Sequence, residues 1–432
     1  MKRLCGCLST AIVFSMTLSV FAVNANTDNT LPSLTLLDGL KQRIQENDPT
    51  VETTFTELAQ FFTAQPSEFN QADFFNLKSY HYVLKQNYVE GYEALLEARK
   101  LANASDNKLA LAESFRLEGL ILDLSGEHAG ALEALNRALA LYSEAESDNV
   151  LLVYGAMGNV YMSLKDFDAM LALGYQYLST AKRLDSRREQ GIAYFFQGYA
   201  QKELGTFQDA KISLLLAEEI LHDVEYPFIG IVYSTMAELH IAQQNVSEAL
   251  KRLNQAAEAD RQVGFRYNEG ARLLQLAEIY VQRGETELAI AELKAGLTKD
   301  VAKNDKVVTL NILEQLISLS ESTKNYQSAL DYAKQYQSAY QQSFNEQQSQ
   351  QLALNRVRLA IAEKEETIKL LEKDNELKEQ RNLAQQKNNT MQLYFITGVV
   401  VSLVLVIALW LRTRKQRKAL DNLAQALQKA RR

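Results

Sequence analysis

The sequence predicts an all-α protein made of stacked helical repeats, with one membrane-crossing helix near its C-terminus. Three observations carry this prediction. The 432 residues include only 4 prolines and 18 glycines, so few residues interrupt helices. A pattern of small residues recurs about every 40 residues through much of the chain. An uncharged apolar run, 393–411, has about the 19 residues that a helix needs to cross a bilayer.

Residues 1–25 have the features of a secretory signal peptide. Lys2 and Arg3 precede the apolar stretch 11–20, and residues 23–25 form a small-residue pattern that predicts cleavage after position 25. Both cysteines lie among the first ten residues, so the mature chain is expected to contain none. An uncleaved signal anchor and an acylated lipoprotein are the alternatives, although both cysteines precede the apolar stretch, where a lipoprotein cysteine would follow it.

Residues 26–70 are expected to form helices that cap the first repeat. A cap is needed because a terminal repeat otherwise exposes its stacking face to water. Apolar residues recur at helical spacing in two stretches of this segment: Leu34, Leu37 and Ile44, then Phe55, Leu58 and Phe61.

Residues 71–345 carry the repeats. In each of about seven units, one residue marks the start of the second helix: Gly91, Ala131, Met170, Ala210, Ala249, Ala289 and Ala329. Another small residue stands about twelve positions before several of these markers: Gly119, Gly158, Gly198, Ala237 and Ala277. Small residues are required at these places because two antiparallel helices approach each other closely there.

This pattern resembles the tetratricopeptide repeat, which has Gly or Ala at its eighth position and Ala at its twentieth and twenty-seventh. The segments 115–139, 194–219 and 233–258 fit it well, and the resemblance covers about 60% of the chain. The period is nearer 40 than 34 residues, and Met170 replaces the usual small residue. The resemblance implies an α-solenoid, a superhelix of helical hairpins whose first helices line a groove for a protein or peptide partner.

Family positions transferred onto these units give the expected groove-lining partner contacts: Arg116, Asn159, Phe195, Tyr199, Lys202, Glu238, Glu278 and Gln282. The alternative is that these positions form a solvated concave face without a ligand. The sequence indicates no ligand identity.

Residues 346–390 are predicted to form a coiled coil that joins two copies of the chain. Leu354, Ile361 and Ile368 lie seven residues apart, although Lys364 and Asn375 interrupt the seam. The alternative is a single solvent-exposed helix that tethers the repeats.

The apolar run 393–411 is predicted to be a single transmembrane helix, flanked by the aromatic residues Tyr394 and Trp410. Basic residues crowd the tail, 412–432, and the positive-inside rule therefore places the C-terminus in the cytoplasm. With a signal peptide, the repeats face the periplasm of a bacterial cell, and the protein is expected in the inner membrane.

This order of segments resembles the periplasmic sensor half of bacterial membrane histidine kinases and diguanylate cyclases, without the output domain. The resemblance implies a sensory input module for transmembrane signalling. The alternative is an envelope scaffold or adaptor whose transmembrane helix serves only as an anchor. Whether Arg432 is the natural end of the protein stays open, because an output domain would begin there.

The sequence predicts no catalytic, cofactor or metal site. The four histidines are scattered over different units, and neither a glycine-rich phosphate loop nor a nucleophile elbow is present. The net charge of −7 argues against a nucleic-acid partner, because binding phosphates requires a basic face.

Overall fold

The computed structural model describes residues 32–45, 48–64, 68–262, 269–298 and 306–430, and the predicted signal peptide lies outside these ranges. All regular secondary structure within them is α-helical. The helices, in chain order, are α1 (Pro32–Gln45), α2 (Val51–Ala64), α3 (Glu68–Leu84), α4 (Tyr88–Ala104), α5 (Lys108–Leu124), α6 (His128–Glu144), α7 (Val150–Leu164), α8 (Phe167–Arg183), α9 (Arg187–Glu203), α10 (Phe207–Asp223), α11 (Gly230–Ala242), α12 (Val246–Gln262), α13 (Glu269–Gln282), α14 (Thr286–Thr298), α15 (Lys306–Ser322) and α16 (Tyr326–Ala430).

The helices from α3 to α14 pair consecutively into six hairpins, and the start of α16 forms a seventh with α15, where Tyr332 packs against the core cluster that includes Ile312 and Leu316. This arrangement confirms the predicted tetratricopeptide-like repeat fold. The second helix of each hairpin places its marker residue in the core, including Met170, whose side chain is fully buried. The spacing of buried residues is helical; α10, for example, buries Ala210, Leu214, Ala217 and Leu221 on one face. The longer period reflects longer helices, because most of the repeat helices have 17 residues.

Glycines in the first helices allow neighbouring helices to approach closely. A Cβ atom on Gly119 would lie 2.6 Å from Cγ of Leu135 in the same hairpin, and one on Gly158 would lie 2.6 Å from Cζ of Phe196 in the next hairpin. Such distances are shorter than any ordinary carbon contact. The predicted requirement for small residues therefore has a direct steric cause.

The same tight turn recurs between helices of the array. A residue in the left-handed region follows the helix, and the next N–H donates to a carbonyl five residues back, as Glu127 does to Leu122 at 2.8 Å. Glycine occupies the left-handed position at Gly126, Gly205 and Gly284. Elsewhere a polar residue adopts this conformation, and Gln86 is one example, with φ of 61°.

The helices α1 and α2 precede the first hairpin and pack against α3. The rings of Phe55 and Phe62 lie 5.7 and 5.6 Å from the ring of Phe74, measured between centroids. Phe62 is the buried phenylalanine at the end of α2, while Phe61 is only partly buried. The sequence pattern includes Phe61 in the apolar series of this helix, and the fully buried position there is Phe62.

The helix α16 begins as the second helix of the seventh hairpin and ends at Ala430. The chain divides into two compact units, residues 1–357 and 358–432. In the first unit, Leu354 is buried to 1% exposure. Leu354, the first of the three residues of the predicted seam, is therefore covered within the first unit, and the coiled coil itself stays a prediction.

The second unit contains an apolar segment of α16 within Glu376–Leu420. Its mean hydropathy reaches 2.5, and its side chains are exposed within the unit. Among the described helices, this segment alone combines the length and apolar character needed to cross a membrane.

Candidate functional site

The first helices of the hairpins form one continuous surface. Consecutive first helices, from α3 to α15, contact each other directly, whereas consecutive second helices make at most sparse contacts within the described ranges. A stack whose elements crowd on one side curves towards that side. The concave surface is therefore made by α3, α5, α7, α9, α11, α13 and α15.

Four polar side chains on this surface, here called the ladder, belong to three first helices and interact with one another: Lys202, Glu238, Gln275 and Glu278. Lys202 Nζ of α9 lies 2.6 Å from Oε2 of Glu238 on α11. Gln275 Nε2 of α13 donates a hydrogen bond of 2.8 Å to Oε1 of the same glutamate. Three successive hairpins are thus joined through one carboxylate.

The ladder holds its charges in a mostly buried setting. Burial opposes the charge on Lys202, but Glu238, together with Tyr199 and Glu203, holds its pKa above the usual value. Burial raises the pKa of Glu278, Glu238 raises it further, and Lys202 opposes this change. Because a carboxylate excess remains around one ammonium group, the ladder favours cationic or hydrogen-bond-donating groups over anions.

Aromatic rings support the ladder from α9. Tyr199 makes a cation–π contact with Lys202, whose Nζ is 4.6 Å from the centroid of the tyrosine ring. Phe195 contacts Phe196 at 5.9 Å between centroids and is fully buried. Phe195, predicted to line the groove, is therefore part of the core of the array and does not face an open surface.

Arg116 of α5 is also buried, and its partner belongs to the same helix. Its Nε and Nη2 atoms donate hydrogen bonds of 2.8 and 2.6 Å to the carboxylate of Glu113. The hydroxyl of Tyr142 donates to the same carboxylate at 2.8 Å. Arg116, predicted as a partner contact, therefore has its guanidinium engaged within the array.

A titratable cluster that the sequence did not indicate lies next to Arg116. Burial raises the pKa of Asp73 on α3 to about 7, Glu113 raises it further, and Lys41 of α1 opposes the change. Burial lowers the pKa of Lys41. The sequence shows only that Asp73 belongs to a first helix. That position does not distinguish it from the many carboxylates whose pKa stays at its ordinary value.

The remaining predicted contacts differ in accessibility. Asn159 is buried in α7, and its Oδ1 has no hydrogen-bond partner among the described residues. Glu278 is half-buried and Gln282 is exposed. The Nε2 atom of Gln282 donates to the carbonyl oxygen of Ile241 at 3.2 Å. The accessible part of the predicted set is thus at the C-terminal end of the array.

No three histidine, cysteine, aspartate or glutamate side chains come together as a metal site within the described ranges. The chemistry available on the concave surface is hydrogen bonding, charge pairing and aromatic contact. Such interactions are the ones by which proteins in general recognise a peptide or protein surface.

Comparison with solved structures identifies the fold of the array. The chain is similar to a Rap protein complexed with competence and sporulation factor, with a TM-score of 0.54 and 12% identity over 74% of this chain and 90% of that one. It is similar to the apo form of RapI, with a TM-score of 0.55 and 13% identity over 74% and 89%. A third similar structure is NprR in complex with its cognate peptide NprX, with a TM-score of 0.52 and 15% identity over 72% and 90%.

No protein-family model matches the chain, and no curated protein sequence matches it. At identities of 12 to 15%, the structural similarity shows the tetratricopeptide-like fold alone.

Proposed function

We propose that the chain is a single-pass protein of the bacterial inner membrane that binds a protein or peptide partner in its periplasmic repeat array. Partner binding provides the input for signal transduction across the membrane. The proposal gives the chain no catalytic role and no cofactor, because its sequence separates the histidines and contains no phosphate-binding or nucleophile motif.

One observation carries the signalling part of the proposal. The helix that closes the last hairpin, α16, is the same helix that contains the apolar segment. A change in the packing of the last hairpin therefore acts on the element that enters the bilayer. A scaffold with a passive anchor does not require this direct continuity.

The concave surface supports the binding part of the proposal. Two of the similar structures contain a bound factor or peptide, namely the Rap complex and the NprR complex. The same fold in this chain presents the ladder and the exposed Gln282 on its concave side. We infer that a partner with cationic or donor groups binds there, and the partner class is a peptide or protein.

The orientation rests on the charges that flank the apolar segment. Arg412, Arg414, Lys415, Arg417 and Lys418 lie on its C-terminal side. Basic residues next to a span remain in the cytoplasm. The repeats then face the periplasm, in agreement with the signal peptide predicted at the N-terminus.

Photo-crosslinking in living cells tests the binding surface. A photoreactive residue at Gln282, on first helix α13, is expected to give a discrete crosslinked product. The matched control is Lys294, an exposed position on second helix α14 of the same hairpin. Equal products at both positions, or no product at Gln282, would contradict partner binding on the concave surface.

We further propose a homodimer through the predicted coiled coil, residues 346–390, in which the part of the seam beyond the buried Leu354 begins at Ile361. Glutamates at Ile361 and Ile368 are expected to abolish chemical crosslinking of two copies, because like charges then meet in the seam. Charge changes at Glu363 and Glu366, which lie outside the heptad positions, serve as controls. Unchanged crosslinking in the seam variant would exclude this segment as the association element.

Exchange of residues 393–411 for an unrelated apolar helix of equal length separates signalling from scaffolding. A signalling protein is expected to lose its ability to complement a strain that lacks the chain. Full complementation would favour the scaffold or adaptor with a passive anchor.

A further inference from the structure

A short segment of α16 returns to the second hairpin before the first compact unit ends at Val357. Gln351 Nε2 donates a hydrogen bond of 2.7 Å to the carbonyl oxygen of Ser125, which follows α5 directly and lies 226 positions earlier in the sequence. Leu354, one turn beyond Gln351, is buried to 1% exposure. The last helix of the array therefore contacts the second hairpin.

A second contact lies at the beginning of this segment. Glu346 of α16 forms an ion pair with Lys306, the first residue of α15. Both side chains are about half exposed, with 47% and 44% of their side-chain surface accessible. The segment 346–354, here called the latch, is thus held to the seventh hairpin at one end and to the second hairpin at the other.

The buried face of the latch is narrow. Gln351 is partly buried and Leu354 is buried, while Ser349, Leu352 and Arg356 between and beyond them are exposed. Each hairpin core, by contrast, contains several fully buried apolar side chains. The latch can therefore open at a much smaller cost than the unfolding of a hairpin.

We propose that the latch is a releasable strap that holds the seventh hairpin to the second and thereby sets the opening of the concave groove. First helices of the intervening hairpins line that groove, so release of the strap frees the two ends of this surface from each other. This inference goes beyond the proposed function, because the latch is defined without any partner. Release also acts on α16, the helix that contains the apolar segment.

Distance measurement between two spin labels tests the latch in the full chain. The labels are placed at the exposed positions Asn136 on α6 and Ser349 on α16, in a chain whose two native cysteines are replaced by serine. The unaltered latch is expected to give one narrow distance distribution. Leu354→Glu, which buries a charge, is expected to shift the distribution to longer distances and to broaden it.

Two further variants keep this test decisive. Gln351→Glu has nearly the same shape but no donor for the Ser125 carbonyl, so it is expected to produce the same shift even if Leu354→Glu loses helix content. Leu352→Glu introduces the same charge on the exposed side and is expected to leave the distribution unchanged. An unchanged distribution in Gln351→Glu, or an equal shift in Leu352→Glu, would overturn the latch. Because no partner is added, failure here leaves the proposed partner binding untouched.

Discussion

Asp73 is the residue whose protonation the fold changes most clearly towards neutral pH. Its carboxyl has a pKa of about 7 in the folded chain, against an ordinary value of 3.8, because burial and Glu113 disfavour the charge. Between these two pH values the folded chain holds a proton that the unfolded chain has released. The free energy of unfolding therefore falls as pH rises from about 4 to 7. Above that range Asp73 is ionised in both states, and the free energy of unfolding stays at its lowered value.

Asp73→Asn is expected to remove this cost. The variant should match the stability of the unaltered chain near pH 4 and exceed it by about 2 kcal/mol at pH 8. This difference is smaller than the pKa shift alone would give, because Asp73 is partly exposed and solvent screens its charge. Thermal unfolding of the detergent-solubilised chain, followed by circular dichroism, measures the effect. Asp331→Asn, at an exposed position of α16, provides the control. The same pH dependence in Asp73→Asn and the unaltered chain would exclude Asp73 as its source.

The absence of a side chain at Gly158 allows two neighbouring hairpins to pack closely. Gly158→Ala places a methyl group where the ring of Phe196 lies, 2.6 Å away. We expect a loss of about 1–3 kcal/mol in the free energy of unfolding, as for other overpacked cores. Gly155→Ala on the same helix meets only the Tyr177 hydroxyl, at 3.6 Å, and should be neutral or stabilising. Comparable thermal midpoints for the two variants would show that the close approach does not limit packing.

At the scale of elements, the ladder joins α9, α11 and α13. Loss of one member leaves a mostly buried partner without compensation, so Lys202→Met is expected to cost about 3 kcal/mol. Glu238→Gln in the same chain should recover part of this loss, because it removes the carboxylate that Lys202 neutralises. A double-mutant cycle by chemical denaturation should therefore give a coupling above about 1 kcal/mol.

An exposed pair provides the comparison for the ladder. Lys251 and Glu248 lie 3.2 Å apart within α12, with 63% and 34% of their side-chain surface accessible. Lys251→Met is expected to change stability by less than about 0.5 kcal/mol. Strictly additive effects at Lys202 and Glu238 would contradict the ladder as a connection between hairpins.

The elements themselves were largely predictable from the sequence. Small residues such as Ala131 and Gly198 mark positions where only a short side chain fits, so the hairpins and their number followed from one repeated steric rule. The turns were harder to predict, because Gln86 and similar polar residues adopt the left-handed conformation that glycine favours. Burial of Leu354 was not predictable, since the neighbouring Gln351 bonds to Ser125, 226 positions earlier, and the sequence contains no signal for that contact.

The candidate site was predictable only in part. Family positions correctly indicated first helices, but whether a side chain there faces solvent depends on the neighbouring hairpins. Phe195 is covered by adjacent aromatic rings, and Arg116 is engaged by Glu113 three positions earlier. Lys202 and Glu238 form a pair across two hairpins, and a single sequence contains no direct signal for such a contact.

In the proposed whole molecule, one helix connects a partner-binding array to a membrane. The array supplies a concave surface of first helices, and α16 supplies both the last hairpin and the apolar segment. Side-specific labelling tests this arrangement most directly, because signalling across a membrane requires the array and the tail to lie on opposite sides.

The measurement uses single cysteines at Ser349 and Asn422, both exposed, in a chain whose native cysteines are replaced by serine. Spheroplasts are treated with a membrane-impermeant maleimide before and after permeabilisation. We expect that Ser349→Cys is labelled at once and that Asn422→Cys is labelled only after permeabilisation. Immediate labelling of both positions, or protection of position 349 with labelling of position 422, would contradict this arrangement.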